Sequence, residues 1–223
     1  MQATYVQRLR LTFRKIGPTR YISHLDLAHT LERALNRAQM PVTYSQGFNR
    51  RPRLSMATAL PLGYTSECEL ADIWLDERVE PDAALTQMMS RMAPGIEIVR
   101  VEDVPTNGPS LQSITTESTY VATLLDEVDT GELRAKIAAL LAADSIGRVR
   151  ERGKESRNKK RKEYDLRPLV LDLQLMEVDD KTSLVMRLCL EPSNTGRPDE
   201  VLLELGLDPL AARIHRTQLV LSE

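Results

Sequence analysis

The sequence predicts an α+β protein built from two tandem ferredoxin-like domains, each with a split βαβ order and an antiparallel sheet. Three observations support this prediction. Segments with strand-like alternation and segments with helical periodicity follow one another as strand, helix, two strands, helix, strand. The same order repeats in the second half of the 223-residue chain. The second helix of each half also begins alike, with Glu80-Pro81-Asp82 and Arg197-Pro198-Asp199.

The first domain is predicted over residues 1–104. Alternating apolar and basic residues at 5–15 predict a strand with one solvent-facing side. Ser23, followed by Asp26, resembles a capping box and starts a helix that ends before Pro41. Its apolar stripe is predicted to contain Leu25, Ala28, Leu31, Leu35 and Ala38. The remaining elements are a helix starting at Pro81 and strands at 42–45, 54–60, 67–75 and 96–101.

The second domain is predicted over residues 117–223, after a linker at 105–116 that contains Pro105, Gly108 and Pro109. A charged insert at 153–163 interrupts its regular pattern. Its helices are predicted at 130–143 and from Pro198 to Gly206, and its strands at 120–125, 146–152, 170–178, 184–190 and 214–221.

The net charge of −2 hides a strong segregation of charge along the chain. Residues 1–60 contain ten Lys and Arg against two acidic residues, and residues 146–167 contain ten against four. Acidic residues dominate the intervening segment and the C-terminal segment. This distribution predicts a basic face for a polyanionic partner, which the total charge alone does not indicate.

Motifs for a cofactor or a metal are missing from the sequence. There is no phosphate-binding glycine loop, no Cys-x-x-Cys pair and no His-Glu-x-x-His motif. We therefore expect no cofactor and no metal. Two cysteines, Cys68 and Cys189, do not form a disulfide scaffold and are expected to be small buried residues. No apolar run approaches membrane-spanning length, and a cytoplasmic location without a membrane partner is expected.

The first candidate site is a polar loop that combines arginines, amides and one aromatic residue. Arginine binds phosphates through paired hydrogen bonds, and an exposed aromatic ring stacks on an unpaired base. The alternative is a solvated turn whose Phe48 folds back into the core. The predicted nucleic-acid-binding residues here are Gln46, Gly47, Phe48, Asn49, Arg50, Arg51 and Arg53.

The second candidate is a basic track in the second domain. If 146–152 is a strand, its three arginines share one face, which the insert then extends. The alternative is a flexible solubilising loop. The track contains Arg148, Arg150, Arg152, Lys154, Arg157, Lys159, Lys160, Arg161 and Lys162, and Arg167 is included with it.

The third candidate is a catalytic group formed by Arg20, Tyr21 and His24. A histidine at a helix N-terminus is favoured in its neutral form, which can act as a base. The alternative is a hydrogen-bonded core or capping histidine, because His24 aligns with Ala28 on the inward side of the helix. His29 falls on the outer side and is predicted to be uninvolved in chemistry.

Several segments resemble a bacterial radical-SAM-linked family of unknown function. They are 21–27, 44–53, Ala59-Leu60-Pro61-Leu62-Gly63 and Tyr164-Asp165-Leu166-Arg167-Pro168. Members of that family are encoded beside, or fused to, cobalamin-type radical SAM proteins. The resemblance implies a radical SAM protein as partner and, from the family's setting, a partner that modifies RNA. It implies no activity for the chain itself.

Three functions follow from these observations. The first is a non-catalytic RNA-binding accessory or substrate-presenting protein that works with a radical SAM enzyme. The second is a metal-independent endoribonuclease, with His24 as general base, Tyr21 as proton donor and Arg20 stabilising the transition state. The third is a docking module for the radical SAM partner.

Overall fold

The computed structural model describes residues 5–152, 160–178, 181–191 and 194–222, and only the backbone of 150–152, 160–162 and Val178. The predicted α+β class with mostly antiparallel strands is confirmed. The chain forms two compact units. Unit 1 contains Met1–Thr116 and His215–Glu223, and unit 2 contains Glu117–Ile214.

Unit 1 is a sheet covered by two helices. Its elements are β1 (Gln7–Lys15), α1 (His24–Arg37), β2 (Leu54–Met56), β3 (Thr65–Leu75), α2 (Pro81–Met89), β4 (Ile96–Val104) and α3 (Leu111–Ile114). Strand β1 lies between β3 and β4 and is antiparallel to both, and β2 pairs with the other edge of β3. Because side chains alternate along β1, Leu9, Leu11 and Phe13 enter the core on one face.

Helix α1 begins with the predicted capping box. The Ser23 hydroxyl accepts a hydrogen bond from the Asp26 backbone N–H, and the Asp26 carboxylate accepts one from Ser23 N–H. The predicted apolar stripe is wrong at Leu25, whose side chain is 68% exposed. The buried stripe is centred instead on Leu27 and Leu31, because the helix presents positions 27, 31, 34 and 35 to the sheet.

The segment predicted as a linker is held by unit 1. Leu111 is fully buried, and α3 occupies the end of this segment. The guanidinium of Arg8 donates hydrogen bonds to the carbonyl oxygens of Pro105, Gly108 and Pro109, at 3.4, 2.9 and 2.8 Å. These bonds fix this proline- and glycine-containing segment to β1.

Unit 2 contains a sheet and a separate ribbon. The elements after α3 are β5 (Thr115–Leu124), α4 (Thr130–Ala142), β6 (Gly147–Arg152), β7 (Lys160–Asp165), β8 (Val170–Val178), β9 (Lys181–Cys189), α5 (Pro198–Glu204) and β10 (Ala212–Leu221). Of β10, only residues 212–214 belong to unit 2. Strand β9 pairs antiparallel with β5 and β8. Strands β6 and β7 form a two-stranded antiparallel ribbon, so the predicted insert is partly strand.

The chain enters unit 2 at Glu117, within β5, and returns to unit 1 at His215, within β10. In unit 1, His215 and Arg216 of β10 pair in parallel with Thr65 and Ser66. No helix in the described part of the chain is both long and apolar enough to cross a membrane.

Candidate nucleic-acid interface

The first candidate site is a closed loop in unit 1, residues 44–53, which we call the arginine loop. Tyr44 and Pro52 form an isolated bridge at its base. The Ser45 N–H donates to the Arg51 carbonyl at 2.8 Å, and the Arg51 N–H donates to the Ser45 hydroxyl at 3.1 Å. These bonds fix the two ends of the loop, so its tip, residues 46–50, extends into solvent.

The predicted alternative for Phe48 is wrong, because its ring does not fold back into the core. The side chain is fully exposed, at 106% of the reference value. The rest of the tip, including Gln46, Gly47, Asn49 and Arg50, is exposed as well. The faces of an aromatic ring exposed to this degree are open to solvent and to a binding partner.

The outer face of α1 supports the arginine loop. The Arg51 Nη1 lies 3.2 Å from His29 Nε2, and the Tyr44 hydroxyl donates to Asn36 Oδ1 at 2.6 Å. Positions 29, 33 and 36 lie on one side of the helix, and Arg33 is exposed there. His29, predicted to be uninvolved, therefore contacts the candidate site through Arg51.

Arg53 has a different role from the other two arginines. Its guanidinium lies 4.5 Å from the centre of the Tyr5 ring and 4.7 Å from that of the Trp74 ring. A guanidinium held over two aromatic rings gains cation–π stabilisation. A phosphate-binding role for Arg53 stays a prediction. Arg53 therefore anchors the end of the loop to the sheet, through aromatic residues that are distant in sequence.

Unpaired positive charge distinguishes the tip from the rest of the N-terminal basic segment. Within the described residues, neither Arg50 nor Arg51 forms an ion pair with a carboxylate. By contrast, Arg8 and Arg10 both bind the buried carboxylate of Asp72. Part of the positive charge of residues 1–60 thus neutralises buried acids, and the arginine loop contributes charge that remains exposed.

The predicted catalytic group is spread around the start of α1. His24 is half-buried, and its Nδ1 is buried with no hydrogen-bond partner among the described residues. Tyr21 is 73% exposed, whereas Arg20 Nε donates to the Gly17 carbonyl at 3.1 Å. A general base is normally oriented by a third group. The described residues supply no such group, so the catalytic role stays a prediction.

The cysteine thiols are poorly suited to nucleophilic catalysis. Burial raises the pKa of Cys68 to about 11, and burial also raises the pKa of Cys189. Because the thiolate is the nucleophile, a raised pKa lowers reactivity near neutral pH. The expectation that both cysteines are buried is wrong, because Cys68 and Cys189 are each only half-buried.

Two arginines of the predicted basic track are engaged within unit 2. Arg148 Nη2 donates to the Glu200 carbonyl at 2.9 Å, and its guanidinium lies 3.5–3.6 Å from the carboxylates of Glu200 and Glu204. Arg167 donates to the carbonyls of Leu141 and Val170, which secures the end of α4. Lys154, Arg157 and Lys159 lie outside the described residues.

The β6–β7 register places the other members of the track on one ribbon. Arg150 lies opposite Lys162, Arg152 lies opposite Lys160, and Arg161 lies opposite Glu151.

The solved structures that resemble this chain are distant in sequence. A Cbf5–Nop10–Gar1 complex matches with 9% identity, a TM-score of 0.49, and coverage of 96% of this chain and 50% of that chain. An archaeal box H/ACA Nop10–Cbf5 complex matches with 14% identity, a TM-score of 0.41, and coverage of 97% and 48%. The chain thus spans about half the length of these two relatives.

A third structure, the acetolactate synthase small subunit from Thermotoga maritima, matches with 10% identity and a TM-score of 0.25, over 96% of this chain and 95% of that chain. No curated protein matches the chain significantly. A family model does match, over residues 8–198, and its description is an uncharacterized protein conserved in bacteria. Because the match covers most of the sequence, the chain belongs to this bacterial family, DUF2344.

Proposed function

We propose that the chain is a non-catalytic RNA-binding protein and that the arginine loop holds an unpaired stretch of RNA. The observation that carries the proposal is the full exposure of Phe48 on a loop whose ends are fixed. An aromatic ring held in this way stacks on an unpaired base without first leaving a protein contact, and such stacking contributes about 1–3 kcal/mol per base.

The arginines beside Phe48 support the choice of a nucleic acid over an apolar protein partner. Arg50 and Arg51 lie within three residues of the ring, and neither pairs with a carboxylate in the described part of the chain. Guanidinium groups bind phosphates bidentately, so a backbone can be held while its base stacks. The alternation of amide, aromatic and basic side chains suits a flexible single strand better than a regular duplex.

The ribbon of unit 2 supplies a second basic element to the proposal. Its two strands carry Arg150, Arg152, Lys160 and Lys162 in one paired register, and basic residues of this kind are those that neutralise phosphates. A two-stranded ribbon can bind a nucleic-acid groove or track a phosphate backbone. Each phosphate contact releases counterions, so binding should weaken steeply as salt is added.

We also propose that the two halves of the chain are each ferredoxin-like. The strand order in unit 1 is β4-β1-β3-β2, in which the first strand lies between the last and the third, as in the split βαβ arrangement. The second half has the same succession of strand, helix, two strands, helix and strand, and its β9 lies between β5 and β8. The ribbon β6–β7 is then an insertion between α4 and β8.

The proposed partner is the radical SAM protein that the family resemblance implies, with this chain presenting RNA to it. Co-purification of the two proteins that survives nuclease treatment would show direct protein docking. Loss of co-purification after nuclease treatment would show that RNA bridges them. Direct RNA binding is tested independently of this partner.

The test of RNA binding is fluorescence anisotropy with a labelled single-stranded oligonucleotide at several salt concentrations. We expect an association constant whose logarithm falls linearly with the logarithm of salt concentration. Arg50→Ala should weaken binding and lower the magnitude of the slope by about 0.7 for each phosphate that is no longer neutralised. Arg50→Lys, which keeps the charge, should keep more of the slope than Arg50→Ala does.

The matched control is Arg100→Ala on β4. Arg100 is exposed and pairs with Glu102, so its removal takes one positive charge from unit 1 away from the loop. Binding by the Arg100→Ala variant should match that of the wild type. Absence of binding at low salt, or binding without any salt slope, would refute the proposal.

A further inference from the structure

A polar pocket opens beside the arginine loop. It has a volume of about 400 Å³ and is lined by Thr43, Tyr44, Ser45, Gln46, Arg50 and Asp76. That volume falls in the range of about 300–1,000 Å³ that is usual for small-ligand sites. All six residues belong to unit 1.

The carboxylate in this pocket is held in place by hydrogen bonding. The Thr43 hydroxyl donates to Asp76 Oδ1 at 2.7 Å, and the Asp76 backbone N–H donates to the Pro41 carbonyl at 2.8 Å. No described cation lies within ion-pair distance of Asp76, although Arg50 lines the same pocket. The pocket therefore offers an oriented acceptor on one side and guanidinium donors on another.

The aromatic residue of the pocket is oriented too. The Tyr44 hydroxyl donates to Asn36 Oδ1 at 2.6 Å, which ties the ring to α1. Tyr44 is 40% exposed, so part of its surface is available for stacking. A planar, aromatic ligand with hydrogen-bonding edges fits this combination of a ring, an acceptor and donors.

Among the four RNA bases, guanine best matches the polarity of the pocket. Its Watson–Crick edge carries two adjacent N–H donors, which a carboxylate can accept together. Adenine presents an unprotonated ring nitrogen at the equivalent position, which a carboxylate repels. The oxygen and N7 on the other edge of guanine are acceptors that an arginine recognises through paired hydrogen bonds.

We infer that this pocket selects an unpaired guanine, with Asp76 accepting from the base and Gln46 or Arg50 donating to its opposite edge. The inference rests on the proposed RNA-binding function and adds base selectivity to it. Phe48 and the arginines supply affinity for any single strand, whereas the pocket supplies the preference for one base.

The test compares labelled oligouridine strands that carry one central guanine, adenine or cytosine. Wild-type protein should bind the guanine strand roughly 5- to 150-fold more tightly than the adenine strand, the range expected for one bidentate base contact. Asp76→Asn should abolish most of that preference while leaving binding of the adenine strand within a few-fold of wild type. Asparagine keeps an oxygen for the Thr43 hydroxyl, so the variant should fold normally.

Glu77→Gln is the matched control, because Glu77 is the exposed neighbour of Asp76 and does not line the pocket. This variant should keep the guanine preference. Equal binding of all strands by the wild type, or a preference that survives Asp76→Asn, would overturn the inference and leave RNA binding intact. Failure to bind any strand would instead overturn the proposed function itself.

Discussion

Replacing Asp72 by asparagine should destabilise unit 1 more than the same replacement at an exposed aspartate. Asp72 on β3 is fully buried and lies opposite Arg10 of β1 in the sheet register. Arg10 Nε donates to Asp72 Oδ1 at 2.9 Å, and Arg8 donates to Oδ2 from Nε at 3.0 Å and also from Nη2. One carboxylate thus pairs with two arginines on the same face of β1.

The magnitude follows from burial. Arg8 is 2% exposed, so its charge cannot regain water when the carboxylate is replaced by a neutral amide. Removing one partner of a buried ion pair costs about 3–5 kcal/mol. Arg10 is 15% exposed and recovers part of its hydration, so losing this second pair should not raise the cost above that range. With a urea m-value of ~2 kcal/mol/M, the unfolding midpoint should fall by ~1.5–2.5 M.

The assay is urea unfolding followed by circular dichroism and by fluorescence of the single tryptophan, Trp74, whose ring lies 5.0 Å from the Arg8 guanidinium. Asp103→Asn is the control, because Asp103 is 46% exposed and pairs with Arg78 at 3.4 Å, and asparagine keeps an oxygen for the Gln7 amide that donates to it at 3.0 Å. Exposed pairs of this kind contribute about 0–1 kcal/mol. If Asp72→Asn loses no more stability than Asp103→Asn, the reasoning about the buried carboxylate is wrong.

Two further predictions concern titrating groups. Because burial raises the pKa of Cys68 from 9.0 to about 11, its folded thiol should be alkylated about 50-fold more slowly at pH 9 than in urea, from ionisation alone. Because the unfolded thiol ionises at lower pH than the folded one, the contribution of Cys68 to stability should be lost as pH rises from 9 to 11. Equal alkylation rates for the folded and unfolded protein would contradict the raised pKa. The Ser23 side-chain hydrogen bond lowers the pKa of Asp26 below 3.8, so Ser23→Ala should raise that pKa in an NMR titration. The stabilisation linked to Asp26 should therefore disappear in the wild type as pH falls below about 4, and an unchanged pKa in Ser23→Ala would count against the capping box.

Local sequence signals predicted the elements that begin or end through short-range chemistry. The Ser23 capping box and the prolines at the starts of α2 and α5 lie where they were expected. Strand lengths around the arginine loop were overestimated. Val42 and Tyr44 form only isolated bridges, and Tyr44 is opposite Pro52, which has no N–H to continue a ladder.

The candidate site was predictable in composition but not in geometry. The presence of an aromatic residue, Phe48, beside Arg50 and Arg51 was enough to predict a nucleic-acid-binding loop. The role of Arg53 depends on Tyr5 and Trp74, which are far from it in sequence, so periodicity could not identify it. The pairing of two arginines with one buried aspartate was hidden for the same reason, since it depends on strand register.

The pocket beside the loop has no signature in the sequence, because Asp76 is separated from Tyr44 and Arg50 by two strands, β2 and β3. An aspartate after a strand gives no local signal of its own. Only the hydrogen bond from Thr43 and the closure of the loop bring the carboxylate beside the arginine.

The most direct test of the account is the affinity of Phe48→Ala for single-stranded RNA. The exposed ring contributes little to folding, so the variant should unfold like the wild type, and its affinity should fall roughly 5- to 150-fold with the loss of one stacked base. Phe48→Trp should retain binding. Leu210→Ala, which removes a side chain that is 90% exposed in unit 2, should leave affinity unchanged. A Phe48→Ala variant that binds RNA as tightly as wild type would contradict the central claim.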